Sequence, residues 1–225
     1  AVRIIVAERL EKLGMEKIRL PLNAKPTDRH IPIYVSSDIR KKKRVLILFG
    51  EHNQDLGILS YRMTGGKGGI NQGSVINLVK HVQSMHSSID DDESPAIVLA
   101  NLGQLRWWRR GKKAVTQTTW YTLPSKSLAD PPYEFDPELN TVPENRDLAQ
   151  HIEYVFNHVI TELTLPDAKL DIIGVSTGAF QTCVFLEKQE NWCKWKSRLS
   201  VIALIAGYYS PEGSKNEEFK SWLAN

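Results

Sequence analysis

Apolar positions divide the chain into short alternating helices and strands. Ile4, Ile5, Leu10 and Leu13 recur at roughly helical spacing, and Gly14 supplies a stop. Residues 17–22 alternate polar and apolar, as a half-buried strand does. Residues 31–35 also alternate, but Pro32 restricts them to an edge strand or a strand start. These two segments are expected to form an antiparallel edge. Residues 45–49 are apolar throughout, the pattern of a strand covered on both faces. A helix is expected from Ser74 to about Ser84, and a second buried strand over 96–100.

Between Leu102 and Val142 turn residues are dense and periodicity is weak, so a long loop is expected, functional, mobile or structured on its own terms. Pro143 and Glu144 suit the first turn of a helix whose apolar face carries Ile152, Val155, Phe156, Val159 and Ile160. Residues 170–175 read as a strand, 179–189 as the helix behind it, 201–206 as one more buried strand and 217–223 as a short last helix. Alternating β and α elements call for a largely parallel sheet with helices on both faces. The class is α/β, in one domain spanning 1–225.

Composition narrows this little. The 225 residues are 41% hydrophobic and 24% charged, ordinary values for a chain that buries a core without metal or disulfide staples. A net charge of +3 is small for a protein dominated by nucleic-acid binding. Charge is nevertheless clustered: Arg40–Arg44 and Arg109–Lys113 are basic, while Asp90, Asp91, Asp92 and Glu93 are acidic. Cys183 and Cys193 form no disulfide framework and are expected to be reduced and buried. No apolar run approaches the roughly 20 residues of a membrane span, and a signal peptide ahead of the domain is not expected. The chain opens on Ala1 and goes almost at once into helix, which reads as a piece of a longer protein.

The strongest chemical motif is Gly174-Val175-Ser176-Thr177-Gly178, a G-x-S-x-G between a strand and a helix. That context is the elbow of an α/β-hydrolase-like three-layer sandwich with a mostly parallel central sheet. A hydrolytic serine also needs a histidine base and a carboxylate to orient it, and in such folds both follow the serine. Here all six histidines precede Ser176, and the tail after the last strand offers only Glu212, Glu217 and Glu218. His52, just beyond the strand ending at Phe49, is the one histidine placed above the same sheet edge, with Glu51 or Asp55 as its orienter. The alternative is a polar loop histidine beside an inert serine, and it requires fewer coincidences.

Other constellations are weaker. Residues 65–69 are glycine-rich around Lys67 but lack the Ser or Thr of a phosphate loop. His81 and His86 have no companion zinc ligand at a recognised spacing. Trp192 and Trp195 suit packing at the end of the elbow helix. Residues 105–110, which include Trp107, Trp108, Arg109 and Arg110, could stack bases, clamp phosphates or anchor an interface; equally, one tryptophan caps the sheet while the arginines pair with acids.

Residues 45–50 with Glu51-His52-Asn53, residues 100–105 with Trp107-Trp108, and the elbow before Ala206-Gly207 together resemble the Arb-type domain. That family is named after a subunit of the Argonaute siRNA chaperone complex, and a closely similar domain forms the C-terminal part of fungal class II histone deacetylases. The resemblance runs from about Leu10 to the end of the chain. It implies a nuclear, non-catalytic accessory domain of a chromatin-silencing deacetylase. Such a domain would bind histones or partner subunits, dimerise, and carry no cofactor, the zinc belonging to a separate deacetylase domain. The alternatives are a subunit of the siRNA chaperone complex and a serine esterase using Ser176 and His52. Basic histones call for acidic surfaces, so Asp90, Asp91, Asp92 and Glu93, with Glu134, Asp136 and Glu138, are the expected contacts. Trp107, Trp108 and Arg109 are expected at a histone or subunit interface; nucleic acid is left open.

Overall fold

Side-chain alternation within the strands decides the layers. In β3 (Arg44–Phe49), Val45, Ile47 and Phe49 face one apolar cluster while Leu46 and Leu48 face another. β4 (Ala96–Leu99) divides in the same way, with Ala96 and Val98 on one side and Ile97 and Leu99 on the other. A strand buried on both faces needs helices on both faces, and the computed structural model provides them. It describes residues 1–85, 94–125, 127, 129 and 133–224.

The chain begins with α1 (Val2–Lys12), β1 (Met15–Leu20) and β2 (Ile31–Ser36), followed by β3. Two single turns, α2 (Tyr61–Thr64) and α3 (Gly69–Gln72), bracket the glycine-rich segment and lead into α4 (Ile76–Gln83). β4 comes next, then a hairpin of β5 (Arg106–Trp108) and β6 (Lys113–Val115), then α5 (Gln117–Tyr121). α6 (Leu148–Tyr154) continues through a π-helical stretch, Val155–Ile160, into α7 (Thr161–Leu163). β7 (Lys169–Val175), α8 (Thr177–Leu186), α9 (Gln189–Trp195), β8 (Leu199–Ile205) and α10 (Glu217–Leu223) complete the order.

The six-stranded sheet runs β1-β2-β4-β3-β7-β8. β4, β3, β7 and β8 are parallel, and β2 is antiparallel to both β1 and β4. The expected antiparallel edge is therefore present. Pro32 lies outside the short stretch where β2 pairs β4, which is Tyr34 and Val35 only, so its missing N–H removes no ladder bond there. One face carries α1 and α4 through Val6, Leu10, Ile76, Val79 and Val82. The other is covered from α6 to α10, with Phe156 stacked on Phe49 at 5.8 Å and on Phe185 at 4.7 Å. Trp192 and Trp195 are buried beneath it, as their position after the elbow helix implies.

Four expectations need correction. In α1 the buried residues are Val6 and Leu10, whereas Ile4 is exposed. Helix α6 starts at Leu148 instead of near Pro143, because the Asp147 carboxylate accepts the Gln150 N–H at 2.9 Å and so caps it there; Glu144 has φ +62° in the preceding turns. Cys193 is exposed, while Cys183 is buried as expected. The strand expected as buried over 201–206 is β8, the outermost strand of the sheet, with Val201 and Ile205 about half exposed.

Candidate functional site

The elbow stands where β7 delivers Ser176 to α8. Ser176 adopts φ 52° and ψ −114°, outside the regions ordinary L-residues favour. Its N–H donates to Ile205 O at 2.8 Å, and its carbonyl accepts from Phe180 N–H at 3.2 Å, so backbone on either side holds the strained residue. The motif glycines explain themselves by contact. A Cβ on Gly178 would lie 2.2 Å from Phe49 O, and one on Gly174 would lie 2.5 Å from Ala179 Cα. The turn fits only because both side chains are missing.

His52 reaches this elbow, but it does not reach the serine. Its Nδ1 lies 2.8 Å from Thr177 Oγ1, and the same nitrogen contacts the Glu51 carboxylate. The Thr177 hydroxyl donates to Glu51 Oε1 at 3.3 Å, and Glu51 also accepts the His52 backbone N–H at 3.0 Å. Glu51, His52 and Thr177 thus latch the loop after β3 onto the first turn of α8. Among the described residues, the Ser176 hydroxyl has no side-chain hydrogen-bond partner. Of the carboxylates behind the elbow, Glu218 pairs with Lys196 at 2.7 Å and Glu217 with Lys220 at 3.5 Å.

Beneath the latch runs a buried polar chain. Asp55 accepts Gln104 Nε2 at 2.9 Å and Arg3 Nη1 at 3.1 Å, together with the Tyr61 hydroxyl, whose pKa is raised first by burial and then by that bond. Gln104 Oε1 accepts Asn101 Nδ2 at 3.0 Å, and Asn101 Oδ1 accepts the Gln104 N–H at 3.0 Å. Asn101 Nδ2 also donates to Pro32 O at 2.8 Å, which ties the loop after β4 to β2. The Asn101 N–H donates to His151 Nε2 at 3.1 Å, which places the ring proton on Nδ1 for donation to Asn145 Oδ1 at 2.7 Å. His151 is wholly buried and burial lowers its pKa to about 3, so it is a neutral link in this chain. Asp55 therefore serves the polar chain and makes no hydrogen bond to His52.

The sequence pattern draws Ser176, His52, Glu51 and Asp55 to one end of the sheet, and the structure brings all four there. It gives no hint of Thr177, the hydroxyl His52 meets, because threonine in the variable position of an elbow carries no signal of its own. Nor does it reveal the chain of Asn101, Gln104, Asn145 and His151. The pattern Asn101-Leu102-Gly103-Gln104 was the available clue, since a Cβ on Gly103 would fall 1.7 Å from Gln54 O.

The hairpin residues separate by role. Trp107 is buried with Ile31, Ala114 and Val142, its ring 5.2 Å from His30. Trp108 is half-buried beneath its own turn, and Arg109 and Arg110 are exposed. The arginines do not pair with acids among the described residues. Asp90, Asp91, Asp92 and Glu93 lie outside the described residues. Of the other expected acidic contacts, Glu138 pairs with Arg146 at 3.0 Å, and Asp136 accepts the N–H groups of Glu138 and Leu139 within its own loop.

Compared with known proteins, no curated sequence matches this chain. The profile of the Arb2 domain matches it from residue 1 to residue 225. Membership of the Arb2 domain family is the identity this full-length match establishes for the chain.

Proposed function

We propose that this Arb2 domain is a non-catalytic accessory module of a nuclear, chromatin-silencing histone deacetylase, that it binds histones and partner subunits, and that it pairs with a second copy. The observation that carries the non-catalytic reading is that, among the described residues, no side chain hydrogen-bonds the Ser176 hydroxyl, while His52 bonds its neighbour Thr177. Abstraction of a proton from Ser176 needs a base within hydrogen-bond reach of its hydroxyl, and among the described residues no histidine or carboxylate makes that bond; His52 meets Thr177 and Glu51 instead. The deacetylase setting is supported by the sequence's resemblance to the C-terminal domain of fungal class II histone deacetylases. A role in the siRNA chaperone complex fits the same family and the same inert elbow.

One observation supports an esterase as the competing reading: His52 and Glu51 stand one residue from the elbow serine. A serine-directed fluorophosphonate probe separates the two. The expected result is no labelling of the native protein at concentrations that label a control esterase. Labelling that disappears in Ser176→Ala and in His52→Ala would overturn the non-catalytic reading.

A further inference from the structure

The β5–β6 hairpin plays no part in the elbow, and its chemistry is unlike that of the rest of the surface. Residues 106–115 carry Arg106, Arg109, Arg110, Lys112 and Lys113 and no acid. Among the described residues none of these five cations has a carboxylate partner. Like charges packed this densely repel one another, so a hairpin that keeps them together is held by something else. Trp107 holds it from below: its N–H donates to Asn140 O at 2.8 Å and its carbonyl accepts Asn140 Nδ2 at 3.0 Å. Trp108 holds it from within. A Cβ on Gly111 would lie 1.9 Å from Trp108 Cε3, so the turn lies flat on the indole, and Lys113 Nζ sits 5.3 Å from its ring centroid. The cations are thus displayed on a fixed frame.

Beside them is an aromatic shelf. The Arg106 guanidinium lies 4.5 Å from the Phe135 centroid, 5.3 Å from Tyr121 and 5.9 Å from Trp120. Trp120 is buried and meets Phe135 edge-on at 5.7 Å, whereas Tyr121 is 70% exposed and Phe135 39% exposed. Arg110 Nη1 donates to the hydroxyl of Tyr133, whose ring lies 6.4 Å from Trp120, so turn and shelf are connected.

We infer that the β5–β6 hairpin and the Arg106–Tyr121–Phe135 shelf form a binding surface for single-stranded nucleic acid. Phosphates meet Arg109, Arg110, Lys112 and Lys113, and unstacked bases lie on Tyr121, Phe135 and the guanidinium plane of Arg106. An acidic peptide would satisfy the cations and leave bare the exposed surface of Tyr121 and Phe135 that Arg106 does not cover. A duplex keeps its bases stacked inside and does the same. Basic histones are repelled by this face, so the inference takes Trp107, Trp108 and Arg109 away from a histone role and leaves that role to the expected acidic contacts, Asp90–Glu93, Glu134, Asp136 and Glu138.

The test is fluorescence anisotropy with a labelled 20-nucleotide oligo(U), against a 20-base-pair duplex and polyglutamate. Oligo(U) is expected to bind best, and its log affinity to fall against log salt with a slope of about −0.7 per phosphate engaged. Arg109→Glu with Arg110→Glu should weaken binding at least about tenfold and flatten that slope. Tyr121→Ala with Phe135→Ala should weaken it at least about fivefold and leave the slope unchanged, because stacking carries no charge. Lys112→Glu with Lys113→Glu is the substitute pair if the arginine variant loses its native circular dichroism melt. Absence of oligo(U) binding, equal binding of the duplex, preference for polyglutamate, or indifference to the charge reversals would each overturn the assignment.

Discussion

Ser176 is held in a strained conformation by two glycines whose missing side chains are replaced in space by backbone. At Gly178 the obstacle is the pair of carbonyls of Phe49 and Gly50, 2.2 and 2.6 Å from where a Cβ would stand, and neither is a flexible group. Gly178→Ala is therefore expected to destabilise the fold by about 2 kcal/mol or more, read as a lower urea midpoint at unchanged slope. His151 makes a second prediction. Its folded pKa of about 3 lies below the ordinary value of 6.5, so between those limits the unfolded chain binds the extra proton. Stability is then complete above about pH 6.5 and is lost progressively as pH falls toward 3. His151→Gln should be less stable at pH 7, and the wild type's advantage should shrink by about 2 kcal/mol between pH 7 and pH 5. Parallel denaturation curves at the two pH values check this; an advantage that does not narrow refutes it.

Among the elements, β8 shows where pattern and position part company. Its run Val201-Ile202-Ala203-Leu204-Ile205 is as apolar as β3, yet β3 is central and β8 outermost. Outermost strands of monomers are commonly blunted by charge or proline, and β8 has neither. Val201 is 50% and Ile205 52% exposed, and Tyr208 just beyond them is stacked on Phe180 at 4.8 Å. The proposed self-association is best served by this strand, in a two-fold antiparallel pairing that extends the sheet. Val201→Lys with Ile205→Lys should leave the thermal melt within a few degrees of wild type and shift sedimentation from dimer to monomer. A wild-type protein that is monomeric throughout the micromolar range, or a variant that remains dimeric, would remove β8 from that role. The hairpin illustrates the opposite case. The stretch from 102 to 142 has no long period, yet it contains β5, β6 and α5, because two three-residue strands and a five-residue helix are too short to leave one.

At the scale of the domain, charge is clustered along the chain: the hairpin cations of residues 106–113 have no carboxylate partner among the described residues, and the acids Asp90–Glu93 form a run of their own in the sequence. Reversing Asp90–Glu93 to lysines is expected to weaken histone pulldown severalfold, whereas Arg109→Glu with Arg110→Glu should not weaken it. Unchanged histone capture after the first change would exclude that run as the contact. What was legible in the residues alone was whatever depends on local periodicity and sterics. The α/β class followed from alternating patterns, the elbow from two glycines around Ser176 between a strand and a helix, and the face of Ile152, Val155, Phe156, Val159 and Ile160 from its spacing. Tertiary structure decided everything that depends on distance between segments far apart in the chain. His52 and Thr177, separated by 125 in sequence, close to 2.8 Å, and the hydroxyl that meets the ring is the neighbour of the expected one. A one-residue difference around a tight turn redirects a side chain completely, so no spacing rule could distinguish Ser176 from Thr177 as the partner. Strand order, likewise, left β8 on the outside despite a buried strand's composition, because neighbours in a sheet are chosen by crossover geometry and not by the apolarity of the strand.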